Sequence, residues 1–295
     1  MKRVYLFSLS IFITFSISGC NNSSDLPSDS TKTCVSESQT LPESQTSETI
    51  VSFDDSVESD EYVTIQGNRI EKWCKELSLY TVDSFEYQVY DNTIKLDSPL
   101  SAVDIEKLAQ LSELKSLCCS SCGIEDISFL ENLTCIEFLD LRGNRISDIS
   151  ILSELTNLKE LILSSNPVSD VSCLQALEEL RYLNLSYTRF EDVSMMSNFE
   201  HLKSLDISCN EILNIEELGN LNNLTKLSVS KTGIDNLEFI KNMEHLTYLA
   251  ATLNNIKDIS ILSDKATLEY LYLDGNPIEN YSQLDKLNLL YCDLK

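Results

Sequence analysis

Basic residues are scarce in this chain: 22 Lys and Arg stand against 47 Asp and Glu, a formal net charge of −25 over 295 residues. Such a surface repels nucleic-acid phosphates and anionic lipid, so the expected partner is cationic or neutral, and no nucleic acid. The seven glycines form no Gly-rich phosphate loop, and no nucleophile elbow is present. His201 and His245 are the only histidines, which rules out HExxH. They end rows of the repeat described below, two rows apart, so strand spacing sets them roughly 10 Å from each other, too far to share a metal ion. No catalytic residue, cofactor or metal is therefore expected. The apolar run after Lys2 and Arg3 is about 14 residues, short of the roughly 20 that a membrane-spanning helix needs.

What the chain does have is a repeat. From Leu114 to Leu287 it falls into eight rows of 22 residues, starting at Leu114, Ile136, Leu158, Leu180, Leu202, Leu224, Leu246 and Leu268. A fixed period of this length means a solenoid whose rows pack only on their neighbours. The fourth residue of every row is Leu, from Leu117 to Leu271, and the sixth is mostly apolar. Residues two apart share one side of a strand, so each row opens with a short strand facing the core. The ninth column holds Asn144, Asn166, Asn210, Asn254 and Asn276, with Cys122, Thr188 and Thr232 in the remaining rows. A short polar side chain turned inward there can satisfy buried turn amides and carbonyls, giving a structural ladder. Apolar residues at columns 11, 14, 17 and 20, spaced by three, suit 3-10 turns on the outer side. Asp or Asn at column 13, as at Asp148 and Asn214, reads as a cap for those turns.

The rows fit LxxLxLxxNxIxDIxxLxxLxx, which resembles the 22-residue leucine-rich repeat of the bacterial internalins and the SDS22-type proteins. The resemblance implies an α/β solenoid. Its curved parallel β-sheet would lie on the concave side, short 3-10 or helical turns on the convex side, and an N-terminal cap would close it. It also implies a non-catalytic protein that binds other macromolecules.

In chain order, residues 1–19 read as a lipoprotein signal peptide. Ile17-Ser18-Gly19-Cys20 resembles the bacterial lipobox, which implies lipid attachment at Cys20, an exported chain, and an envelope location facing outward. Residues 20–61 read as a disordered acidic Ser/Thr-rich tether, because so few apolar side chains cannot drive folding. Residues 62–113 read as the cap. A helix is expected over Asn68–Leu79, with Ile70, Trp73 and Leu77 on one face, and a hairpin or edge-strand pair over Phe85–Leu96 around Asp91-Asn92. A second helix is expected over Ala102–Leu111. Residues 288–295 read as a partial repeat opening at Leu290.

Ten cysteines are many for an exported protein. No two share a column in consecutive rows, so most are expected to be free or buried thiols. Cys119 and Cys122 form a CxxC, but they occupy a leucine and an asparagine column, which favours a structural role. The third, fifth and seventh residues of each row should face the concave side. There Phe138, Tyr182, Tyr248, Tyr270 and Tyr272, with Arg142 and Lys226, are the candidate partner-binding residues. A protein or peptide partner is expected for a monomer held at the membrane only by lipid. A carbohydrate- or peptidoglycan-binding module is the alternative.

Overall fold

The computed structural model describes residues 62–65, 68–71, 78–82, 85–89, 93–96 and 98–294. The signal peptide, Cys20 and the tether at 20–61 lie outside the described residues. Ten parallel strands form one open sheet in strict chain order. They are β5 (Thr93–Leu96), β6 (Ser116–Cys119), β7 (Phe138–Asp140), β8 (Glu160–Ile162), β9 (Tyr182–Asn184), β10 (Ser204–Asp206), β11 (Lys226–Ser228), β12 (Tyr248–Ala250), β13 (Tyr270–Tyr272) and β14 (Tyr291–Asp293). From β6 to β13 the pairing holds the row register: Leu183 lies beside Leu205, and Leu205 beside Leu227. All three are buried in one continuous core with Leu152, Leu155 and the other apolar columns. Short 3-10 turns such as Ser150–Glu154 and Ser172–Ala176 return the chain on the convex side. This is a leucine-rich repeat solenoid.

Column 8 is left-handed in all eight rows. Its six non-glycine members, Ser121, Ser165, Tyr187, Cys209, Lys231 and Leu253, have φ between 53° and 58°, while Gly143 and Gly275 have 69° and 74°. The left-handed step swings column 9 under the sheet. A non-glycine residue there costs about 1–2 kcal/mol. A Cβ on Gly275 would stand 2.6 Å from Leu253 Cδ2. Gly275→Ala should therefore lower unfolding stability by about 1–3 kcal/mol. Adding Leu253→Gly should recover part of that loss; a double-mutant cycle in urea with no coupling between the two would contradict this geometry.

Each column-13 carboxylate or amide accepts from the first N–H of its 3-10 turn, as Asp148 does from Ser150 at 2.9 Å and Asp258 from Ser260 at 2.8 Å. The Ser150 N–H and hydroxyl hold Asp148 below the usual carboxylate range. That support is present above the ordinary Asp pKa and is lost as pH falls through the depressed one. Asn214 is the exception. It is left-handed at φ 56°, makes no such cap, and donates instead to Asp192 Oδ1 at 3.4 Å. In the same row Leu213 is 55% exposed, and Ile212 and Ile215 only skirt the core.

Three expectations for the ends are corrected. Asn68–Leu79 does not open as a helix: β2 (Asn68–Glu71) pairs antiparallel with β1 (Tyr62–Ile65), and Ser78 begins another strand. Trp73 lies outside the described residues. The hairpin in this region joins β3 (Ser78–Val82) to β4 (Phe85–Val89), rather than folding Phe85–Leu96 on itself. Thr93–Leu96 instead becomes the first strand of the solenoid, because Ile94 and Leu96 fall in register with Leu117 and Cys119 and are buried. The helix expected over Ala102–Leu111 forms as α1 (Ala102–Leu108), closed by a Ser101–Asp104 capping box. At the other end the final row opens at Leu289, not Leu290. Tyr270 pairs with Tyr291, and Leu290 is 69% exposed. The preceding 3-10 turn has its usual length, but the link after it is one residue short, and Leu287 leaves the turn extended at ψ 148° where Leu155 has ψ 55°.

Candidate functional site

The asparagine ladder fixes the shape of the concave wall. Asn210 Nδ2 donates to its own row at Ile207 O, 3.0 Å, and to the preceding row at Leu185 O, 2.8 Å. Its Oδ1 accepts from Thr188 N at 3.0 Å. Asn144, Asn166, Asn254 and Asn276 each bridge two rows in the same way. Where Thr replaces Asn, its hydroxyl lies within bonding distance of the carbonyl of its own row, as Thr188 of Leu185 O at 2.7 Å, and of the asparagine of the following row, as Thr188 of Asn210 Oδ1 at 3.1 Å. Consecutive rows are thus bolted at one depth, and the third- and fifth-column residues line up across the sheet.

The candidate binding residues do not form one uniform exposed stripe. Phe138 is fully buried, in a small second apolar cluster with Cys118 and Ile162, against which Tyr182 and Tyr248 pack. It contributes packing rather than an exposed contact. Alternation put it on the correct side of the strand, but its burial depends on neighbours in other rows. Arg142 sits 3.9 Å from Asp140, a fully buried carboxylate. Lys226 is half-buried and lies in register with Tyr248.

The tyrosines at the C-terminal end do come together. Tyr248 and Tyr270 ring centroids are 6.3 Å apart and Tyr248 and Tyr272 are 5.3 Å apart. A further ring, Tyr291, stands 5.0 Å from Tyr272. Sequence reasoning missed Tyr291, because a row that opens at Leu290 puts it in the second column. The signal in the sequence was that a row opening at Leu289 puts Cys292 and Leu294 in the fourth and sixth columns, where one opening at Leu290 puts Asp293 and Lys295. Tyr270 is 38% exposed and Tyr291 47%. Burial, then Tyr272 and Asp206, push the Tyr248 hydroxyl pKa up. Burial, Tyr291, Tyr270 and Asp293 do the same to Tyr272. These hydroxyls stay protonated at neutral pH and can donate hydrogen bonds.

The cysteine motif is internal. Cys118, Cys119 and Cys122 are buried thiols outside any disulfide, and contact with Cys122 together with burial raises Cys119. Burial and Asp140 push Cys118 up to about 12. Among the described residues no group of three His, Cys, Asp or Glu is placed to hold a metal ion. His201 lines an open groove of about 470 Å³ with Glu179, Arg181, Lys203 and Asn223.

Family models for leucine-rich repeats match residues 112–154 and 156–201, and a further one matches 200–213. Internalin C2 of Listeria monocytogenes is similar at 31% identity and TM-score 0.59, covering 66% of this chain and 86% of that one. A leucine-rich-repeat protein of Leptospira interrogans shares the fold at 22% identity and TM-score 0.57, over 68% of this chain and 59% of its own. A plant peptide hormone receptor, RGFR1 in complex with RGF2, shares it at 21% identity and TM-score 0.54, over 64% of this chain and 33% of its own. The curated proteins contain no match. Strand order, register and these likenesses agree that the chain belongs to the leucine-rich-repeat proteins and that its repeat domain is internalin-like.

Proposed function

We propose that this protein is an exported, lipid-anchored and non-catalytic binder that holds a protein or peptide partner on the concave face. Leucine-rich repeats commonly mediate protein–protein binding. The observation that carries the reading is the group of four neighbouring tyrosines at the C-terminal end of that face, two of them well exposed. Aromatic side chains on a rigid sheet give large contact area for little lost entropy. The similar receptor structure holding RGF2 supports a partner of the same general kind. The lipobox at Ile17–Cys20 supports anchoring at Cys20, and mass spectrometry of the mature N-terminus tests it through the mass of an attached acyl group.

Crosslinking on intact cells should capture a partner. Replacing Tyr248, Tyr270 and Tyr272 together by Ala should cut that capture at least about tenfold, since each lost aromatic hot spot is typically worth 1 kcal/mol or more. Tyr270 and Tyr272 lie at the surface side of β13, while Tyr248 packs against the Phe138 cluster, so the thermal midpoint should fall modestly with the cooperative transition kept. Undiminished capture by the triple variant would overturn the assignment of this face.

A further inference from the structure

We infer that Tyr248, Tyr270, Tyr272 and Tyr291, with Asp274 and Asp293 beside them, receive the cationic side chains of a basic peptide in extended conformation. This rests on the concave-face reading and narrows it to a ligand class.

The rings are tilted 35° to 43° to one another. Their faces make a set of facets instead of the flat platform on which a sugar ring stacks. Facets of electron-rich rings suit a guanidinium or ammonium group, which is attracted to the face of Tyr within about 6 Å. Carboxylates surround them. Asp293 follows Tyr291 by two residues on β14, so the two share a face, and Asp274 stands in the turn two residues beyond the end of β13. Asp206 is close enough to act electrostatically on Tyr248, and Asp293 on Tyr272. Lys226, in register with Tyr248, bounds the patch on its other side. The wider charge agrees, with 19 basic against 37 acidic residues over 62–295.

Spacing selects the conformation of the ligand. The ring centroids recur every 5.0 to 6.3 Å across β12, β13 and β14. Alternate side chains of an extended peptide recur about 6.6 Å apart on one side. A chain running across the strands with basic residues at alternate positions therefore meets successive rings.

The test uses the full chain and fluorescence anisotropy. The probes are a fluorescein-labelled Arg-Ser-Arg-Ser-Arg peptide, the same peptide with citrulline for arginine, and chitohexaose as a competing glycan. The arginine peptide should bind at least about tenfold more tightly than the citrulline one. The pair Tyr270→Ala and Tyr291→Ala should weaken it at least about tenfold, whereas Phe at both positions should keep it within about threefold. Asp274→Asn with Asp293→Asn should weaken it severalfold. Equal binding of both peptides overturns the inference. So does arginine-peptide binding that ignores the Ala pair, which would be diffuse attraction to an acidic protein. Chitohexaose binding that is sensitive to the Ala pair, without arginine-peptide binding, replaces the inference by a glycan site. Partner capture on cells that depends on Tyr248, Tyr270 and Tyr272 would survive any of these failures, so the broader reading stands or falls separately.

Discussion

Asn210→Ala should destabilise the repeat domain by about 3–5 kcal/mol, read as lost unfolding free energy in urea. The side chain is 5% exposed and satisfies three backbone groups: Leu185 O, Ile207 O and Thr188 N. Alanine fills none of these roles, and each orphaned buried group costs about 1–3 kcal/mol. Asn210→Thr should cost roughly half as much, because Thr188 and Thr232 show a hydroxyl bonding the carbonyl of its own row. Asn157→Ala is the control: its Nδ2 donates to Thr134 O from the surface, and exposed substitutions of this kind usually stay within about 0.5 kcal/mol. Equal losses from Asn210→Ala and Asn157→Ala would mean the ladder carries no special share of the stability.

The second large effect concerns position along the stack. Leu205→Ala should cost about 3–5 kcal/mol, the usual range for emptying a leucine-sized volume from a close-packed interior. Leu205 is fully buried, with Leu183 on one side and Leu227 on the other. Leu284→Ala removes the same atoms from the last full row, on which only the short final row packs and where Leu284 and Leu287 are only partly buried, and should cost about 1–2 kcal/mol. A solenoid row is stabilised by its two interfaces, and a terminal row has one of them thin. Similar values for the two variants would be inconsistent with nearest-neighbour packing as the source of stability.

The likeness to internalin C2 covers 66% of this chain and concerns the scaffold. The tyrosine patch lies on third- and fifth-column positions, which the repeat consensus leaves open.

Periodicity made most of the scaffold legible. Leu117 to Leu271 at column 4 and the asparagines at column 9 can serve only a stacked turn, because a fixed period of 22 forces every equivalent residue into the same environment. Lys265 shows the limit of that rule. It occupies an apolar outer column yet is 4% exposed, with its ammonium turned to Lys241 O at 2.8 Å and Met243 O at 3.2 Å. A long stem buried behind a charged head fits a leucine slot, and only the neighbouring carbonyls reveal it. The ends were less legible, since pattern reasoning compares a row with its neighbours and an end has a neighbour on one side. Asn68–Leu79 carries helical spacing, but pairing of Asn68–Glu71 with Tyr62–Ile65 satisfies the backbone of its first residues as a strand.

By itself, then, the sequence determined the repeat, the parallel sheet, the polar ladder and the side of each strand that faces inward, because these follow from spacing alone. Tertiary structure decided that Phe138 is buried while Tyr270 and Tyr291 stay exposed, and that the last row starts one residue early. It also joined Tyr291 to the other three tyrosines. Spacing assigns a side chain to a face, but burial and ring contact depend on residues one or more rows away, whose distances are set only when the rows have stacked.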